Sequence, residues 1–306
     1  MQSTGGISHV IPIQVTHGEM ASLEIIASDA FVTADDIVWL NTTRIDVMGN
    51  RLSVVIPQEN WTVSDGMITA GQPAEWHAQR RGSKTLTASY AGMQNSVVVQ
   101  VSEGAITDLV LVIDSVDSTS SLQEITADDE ITVKVKAMDA DGNRWTENVA
   151  WTIEHIQFND QSVLQEMTYG STTMFVPVYS SDSAYTLRAT YTDENISLEV
   201  TLNIMVANGD LVNVDLIQPV DLVQNIDADN NLQFLPQLTD GDGNIIDSSI
   251  VSYMLENTDS GELTNITSII IGNGGVWEAS TVGIWSITAW AISQSGYNIC
   301  ETVSNT

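Results

Sequence analysis

Apolar and polar residues alternate in short runs along the whole chain, and no stretch longer than a turn carries the spacing of an amphipathic helix. The clearest run is Ile131-Thr-Val-Lys-Val-Lys-Ala137. Ile131, Val133, Val135 and Ala137 fall on one face, and Thr132, Lys134 and Lys136 on the other. That alternation predicts a half-buried antiparallel strand. Leu232, Phe234 and Leu238 keep the same phase later in the chain, but Pro236 lacks a ladder donor and predicts an edge position or a bulge. An earlier counterpart holds the phase less well, with Val38 and Leu40 followed by Thr42 and Arg44.

Each of these strands lies between two short polar motifs. Thr33-Ala-Asp-Asp36, Thr126-Ala-Asp-Asp129 and Asp227-Ala-Asp-Asn230 precede it, and Asp46-Val-Met-Gly-Asn50, Asp139-Ala-Asp-Gly-Asn143 and Asp240-Gly-Asp-Gly-Asn244 follow. The Ala of the first motif is 12 residues ahead of the leading Asp of the second in all three copies, from 34 to 46, 127 to 139 and 228 to 240. A fixed spacing between two loops means a fixed strand between them, repeated.

Other strands recur in the same order. Trp61-Thr-Val63, Trp151-Thr-Ile153 and Tyr253-Met-Leu255 follow the second motif, and Trp76 and Trp277 come later, with Phe175 as the equivalent in the middle copy. A penultimate strand reads Leu86-Thr-Ala-Ser-Tyr90, Leu187-Arg-Ala-Thr-Tyr191 and Ile287-Thr-Ala-Trp-Ala291, spaced by 101 and 100 residues. Ser96-Val-Val-Val-Gln-Val101 and Val200-Thr-Leu-Asn-Ile-Met-Val206 close the first two copies, ahead of linker residues Gly104 and Gly209. Residues 7–18 have the same form and end on Gly18. They read as the closing strand of a preceding repeat, or as a strand available to another molecule. The organisation is therefore 1–18 as that strand or linker, then repeats at 19–104, 105–209 and 210–306.

Short strands punctuated by Gly, Asn, Asp and Ser, in units of about 100 residues, are what an antiparallel sandwich produces. The Ala-Asp-Asp turn, alternating strand, Asp-x-x-Gly-Asn loop, Trp-bearing strand, Leu-Thr-Ala-Ser-Tyr strand and valine-rich closing run together resemble the bacterial and archaeal Ig-like domains found in tandem in invasin-type adhesins and very long surface proteins. The resemblance covers almost the whole chain and implies three tandem immunoglobulin-like β-sandwiches preceded by an orphan strand. The third repeat departs most, with Tyr253 in place of Trp. The same module serves as spacer, binding domain and enzyme appendage, so fold does not fix function.

Composition narrows the partners. Asp and Glu outnumber Lys and Arg by 40 to 9 in 306 residues, a net charge of −31. Nucleic acid and anionic membrane both need a basic footprint, and neither fits. The first repeat carries 10 acids and 5 bases, the second 17 and 4, and the third 13 acids and no base. Cys300 stands alone, so no intrachain disulfide forms, and it reads as a small buried apolar residue. No apolar run reaches the length of a membrane span. Asn-x-Ser/Thr sequons at Asn41, Asn60, Asn195 and Asn265 agree with an exported protein.

The resemblance places the Asp139 loop at the pole where the chain enters from the preceding domain, with the loop of Asp193 and Glu194 beside it and Glu103 on the adjacent linker. Those four acids, with Asp141, are candidate Ca²⁺ ligands, because hard cations take several carboxylate oxygens around a Gly-permitted turn. Asp240 and Asp242 are a weaker candidate pair. The competing reading is that Asp and Asn cap these turns and Gly supplies positive φ. The fold buries Trp61 and Trp151 in the core, whereas Trp39, Trp145, Trp285 and Trp290 fall in polar or off-phase positions; the last three are candidate ligand contacts for glycans or a protein partner. His9, His17, His77 and His155 have no metal-site spacing, and no nucleophile elbow, zinc-protease motif or phosphate loop occurs.

The expectation is thus a non-enzymatic, rod-like structural or adhesive segment of an exported cell-surface protein. Its partners would be neighbouring Ig-like repeats, other protein subunits or surface glycans. The alternatives are a filament subunit donating residues 7–18, or a carbohydrate-binding or spacer module on a secreted enzyme or virion fibre.

Overall fold

The computed structural model describes residues 11–157, 164–165, 168–218, 227–247, 250–293, 296 and 298–304. Residues 7–10 of the expected orphan strand and the side chain of Cys300 lie outside them. The chain divides into two compact units, residues 11–108 with Ala137–Trp145, and Leu109–Lys136 with the residues from Thr146 onward.

In the first unit two sheets face each other. One runs in the order Met20–Ala27, Ile37–Asp46, Ala74–His77, Met67–Thr69, with Arg51–Ser53 also on Ile37–Asp46. The other runs Phe31–Thr33, Met93–Ser102, Gly82–Tyr90, Trp61–Val63. Leu23, Val38, Leu40 and Trp76 from the first sheet meet Trp61, Leu86, Ala88, Val99 and Val101 from the second in one core. Thr42 does not break the strand pattern as its polarity suggested. It is fully buried, and its hydroxyl donates to the Val54 carbonyl and lies 3.0 Å from Gln72 Oε1, so the desolvated group is satisfied.

The second unit repeats the scheme. One sheet runs Val116–Asp117, Ile106–Ile113, Ile131–Asp139, Thr172–Phe175, Leu164–Gln165, and the facing one Leu122–Thr126, Ser197–Ala207, Ser181–Thr192, Val149–Glu154, Tyr169–Gly170. Val133, Val135 and Ala137 are fully buried on the predicted face. The Phe175 and Tyr185 rings, from opposite sheets, sit 5.2 Å apart. Two short pairings break the antiparallel rule: Phe31–Thr33 runs parallel to Met93–Ser102, and Leu122–Thr126 runs parallel to Ser197–Ala207. In each case the opening strand pairs first with one sheet, then a short segment crosses to the closing strand of the other.

Residues 211–304 form a third core in which Leu211, Val214, Leu216, Phe234, Tyr253, Leu255, Ile287 and Ala289 pack together. Here the alternating strand splits. Asn231–Gln233 pairs with Val276–Glu278, Leu235–Asp240 pairs with Leu211–Gln218, and the register slips opposite Pro236, between Leu216 and Gln218. Contrary to the expected absence of helix, Thr267–Gly272 forms one short α-helix that buries Ile270 in this core.

Strand pairing aligns the three copies. Trp61, Trp151 and Tyr253 lie opposite Ala88, Ala189 and Ala289, and Trp76, Phe175 and Trp277 lie opposite Val38, Ile131 and Leu232. Trp151 Nε1 donates to the Gly170 carbonyl at 2.9 Å, whereas the buried Trp61 Nε1 meets no acceptor among the described residues.

Residues 11–18 form no strand with any described residue, and Ile11, Ile13 and Val15 are 78%, 82% and 88% exposed.

Candidate functional site

The repeated motifs meet at the linker glycines. In the first unit Asp139 is buried and accepts four hydrogen bonds. Oδ1 takes the backbone N–H groups of Asp141 and Asn143 at 3.1 and 2.8 Å. Oδ2 takes the Gly104 N–H at 2.9 Å and the Asn143 amide at 2.7 Å. The turn closes because Gly142 adopts φ 81°, a left-handed conformation that a side chain resists. Burial pushes the Asp139 carboxyl up, but the hydrogen bonds from Asn143, Gly104 and Asp141 outweigh it and hold it below the ordinary range.

The Asn143 side chain continues the grip. Its amide donates to the Gln79 carbonyl at 2.8 Å, and its Oδ1 accepts the Arg81 N–H at 3.0 Å. From the other side, Asp35 Oδ2 accepts the N–H of Ala105 at 2.6 Å. Its neighbour Asp36 is turned inward to cap Thr33 through both the backbone N–H and the hydroxyl. Gly104 thus sits between two carboxylates, and a Cβ there would lie 2.5 Å from Asp35 Oδ2. Glycine is required here for space, not for an unusual φ.

The second unit contains the same arrangement, group for group. Asp240 Oδ1 accepts the Asp242 and Asn244 N–H groups and Oδ2 accepts the Gly209 N–H and the Asn244 amide. Asn244 pairs with the Val178 carbonyl and the Ser180 N–H. Asp128 accepts the Asp210 N–H, Asp129 caps Thr126, and a Cβ on Gly209 would overlap the Asp128 carboxylate. The same nine bonds thus recur in both copies, arranged as a clamp on linker backbone.

The acids expected as cation ligands have these partners. Asp139 and Asp240 already hold four donors each. Asp141 and Asp242 are exposed, and both carboxyls are pushed up, by partial burial first and then by like charges: Asp139, Asp35 and Asp65 around Asp141, and Asp240 and Asp128 around Asp242. Glu103 pairs with Arg81 at 2.6 Å. Asp193 caps its own turn through the Asn195 and Ile196 N–H groups, which hold it below the ordinary range, and Glu194 is exposed. Among the described residues no group of three or more His, Cys, Asp or Glu is arranged to hold a metal ion.

The candidate tryptophans are not displayed as open platforms. Trp145, Trp285 and Trp290 are all half-buried, and Trp285 packs on the third core with Nε1 donating to the Thr281 carbonyl. A hollow of about 640 Å³ opens in the third repeat, lined mainly by Ile217, Phe234, Leu235, Ile245, Ile250 and Ile270, and none of the three tryptophans lines it. Sequence reasoning missed Asp35, Asp128, Gly104, Gly209, Asn143 and Asn244 as one system. The available signal was a Gly at every repeat boundary together with two Asp motifs at constant spacing.

No protein-family model matches the chain, and no curated protein matches it in sequence. Solved structures do. FdeC, a broadly conserved Escherichia coli adhesin, matches with a TM-score of 0.53 at 11% identity, over 95% of this chain and 100% of that one. Invasin, a bacterial integrin-binding protein, matches with 0.40 at 13% identity over 92% of this chain and 59% of that one. Domains 1–6 of the surface layer protein SbsC match with 0.29 at 14% identity, over 90% and 38%. The chain therefore spans the whole of the FdeC structure but less than two thirds of the other two. At these identities the likeness is one of fold, that of Ig-like adhesin-type repeats.

Proposed function

We propose that the chain is a non-enzymatic, adhesive segment of a cell-surface protein, a tandem array of Ig-like sandwiches that projects or attaches something outside the cell. The observation that carries this is the clamp. The polar residues that recur across repeats hold linker backbone in place, at Gly104 and again at Gly209. A protein selected for binding a small substrate would instead repeat a concave set of convergent polar groups. The fold shared along its full length with the FdeC adhesin supports the same reading.

The test has two arms on cells that make the protein. Antibody against the chain should label intact cells and lose its target after external protease, and the purified chain should bind cell layers saturably. Labelling only after lysis, or no binding above an unrelated sandwich protein, would sink the proposal. One observation favours a second reading as filament subunit: Ile11, Ile13 and Val15 form an exposed apolar stripe of the kind that adds to a neighbour's sheet. Concentration-dependent assembly lost on deleting residues 1–18 would select it.

A further inference from the structure

We infer that residues 11–18 are the closing strand of a further Ig-like sandwich, carried on the same polypeptide ahead of residue 11, and that the pole around Asp46 is built to receive that sandwich. The first ground is register. Counting back from the linker glycine, positions −3, −5 and −7 are Val101, Val99 and Val97 before Gly104, and Val206, Ile204 and Leu202 before Gly209. Five of these six are buried against their own sandwich and Val97 is half-buried. Before Gly18 the same positions are Val15, Ile13 and Ile11, and all three are more than three-quarters exposed. One residue of slip toward Gly18 would put Pro12, Gln14 and Thr16 on that face in place of three branched apolar side chains, so the match specifies a buried strand.

The second ground is the clamp, present here as one half. Asp46 Oδ2 accepts the Gly18 N–H at 2.9 Å and the Asn50 amide at 2.9 Å, and Oδ1 accepts the Met48 and Asn50 N–H groups. This is the Asp139 and Asp240 arrangement without its opposite side. Among the described residues no backbone pair meets the Asn50 side chain as Gln79 and Arg81 meet Asn143, and Asn50 is exposed where Asn143 is buried. Gly18 also has room: a Cβ there would touch only Asp46, at 3.5 Å, whereas the same atom on Gly104 or Gly209 would run into a turn carboxylate. The glycine is in place but the aspartate that would cover it is not supplied by the described chain.

The third ground is the loop itself. Val47 and Met48 are 65% and 82% exposed at this pole. Met48 stands where Asp141 and Asp242 stand in the other copies. Those two carboxyls are pushed up by partial burial first, then by Asp139 and Asp240, with the turn aspartates Asp35 and Asp128 adding to the repulsion. A pole with Met48 would face an arriving turn aspartate without that repulsion and would cover two exposed apolar side chains.

The inference rests on the tandem-array part of the proposed function and not on adhesion. The test uses the parent reading frame, expressed with about 100 additional residues upstream, the length of one repeat. Amide hydrogen exchange is then compared with that of residues 1–306 alone. Amides of residues 13–17 should exchange at coil rates in the shorter chain and at least 100-fold more slowly in the longer one, with the Asn50 side-chain amide also slowed. Gly18→Val should leave the melting of the shorter chain unchanged and lower the first transition of the longer one by several degrees. Should the longer chain not fold on expression, limited thermolysin digestion of the native protein on cells gives the same answer, since a packed strand resists cleavage within 11–15. Coil-rate exchange in the folded longer chain, ready cleavage on cells, a reading frame that opens at Met1, or protection that grows with the concentration of the shorter chain would each overturn the inference. Loss of cell binding with residues 13–17 protected would leave it standing and remove only the adhesive reading.

Discussion

Asn143→Ala tests the clamp most directly, because Asn50 supplies a control within the same chain. The substitution removes three hydrogen bonds: Nδ2 to the Gln79 carbonyl, Nδ2 to Asp139 Oδ2, and the Arg81 N–H to Oδ1. Two are neutral and worth about 1 kcal/mol each net, and the bond to the carboxylate is worth about 1.5–3 kcal/mol. The Gln79 and Arg81 groups are only partly buried, so water replaces some of this, and the expected loss is about 2–4 kcal/mol at the clamp. Asn50→Ala removes only the contact to Asp46 on an exposed pole and should cost less. The assay is amide exchange read residue by residue by NMR, since a chain with several cores will not unfold in one step. At about 1.4 kcal/mol per factor of ten, the Arg81 amide should exchange on the order of 30- to 700-fold faster in Asn143→Ala. Asn244→Ala should do the same to Ser180 and leave Arg81 alone. An Arg81 rate within threefold of the parent, or an equal response to Asn50→Ala, would refute the assignment of this side chain to the linker.

The other expected outcomes concern cores, charge and cations. Trp151→Phe should cost more than Trp61→Phe, by about 1–3 kcal/mol, because the first strips a buried bond from the Gly170 carbonyl and the second removes an N–H that has no acceptor among the described residues; equal denaturation midpoints would contradict this. For pH, the carboxyls of Asp36, Asp46, Asp129, Asp139 and Asp240 are held below their ordinary value, so their stabilisation is complete above pH of about 4 and fades as pH falls through the folded values. Asp141 and Asp242 are raised, so their repulsion is relieved first on acidification. Stability should rise slightly from neutral pH toward about 5 and then drop, and a monotonic decline from pH 7 would count against it. Because Asp139 and Asp240 are occupied by four donors each, melting temperatures in millimolar calcium and in chelator should agree within a degree. A rise of several degrees with calcium would support the cation reading, with Asp141 and Asp242 among its ligands.

The fold was legible in the sequence because the middle copy alternates cleanly and the same motifs come in the same order in all three. Ile131 to Ala137 declared its buried face, and the aromatic at position 61, 151 or 253 could be aligned without coordinates. Thr42 was misread because its burial depends on the Val54 carbonyl and Gln72, partners 12 and 30 residues away that no local pattern shows. The short helix at Thr267–Gly272 was missed for a related reason: one turn carries too few residues to display a period, and it is held by Ile270 in the third core. The site was legible only in its parts. Alternating aspartates beside a glycine suit a cation and a turn equally well, and the hydrogen bonds to Gly104 and Gly209 come from partners that no local pattern shows.

The constant spacing of 12 residues now has a physical cause. In the first repeat the strand Ile37–Asp46 separates Asp35, which holds the N–H of Ala105, from Asp46, which holds the N–H of Gly18. Ten residues at about 3.3 Å each place those two grips about 33 Å apart, roughly the length of one sandwich. A single strand therefore carries, at its two ends, the residue that receives the incoming linker and the residue that fixes the outgoing one. An insertion in that strand would move one grip relative to the other and flip the faces of all residues beyond it. Loops elsewhere differ in length between the copies because no such constraint acts on them: Trp61 to Leu86 is 25 residues, whereas Trp151 to Leu187 is 36. The invariant part of the repeat is the part that sets how one linker follows another. That is the behaviour of a chain whose repeated chemistry serves its own continuity.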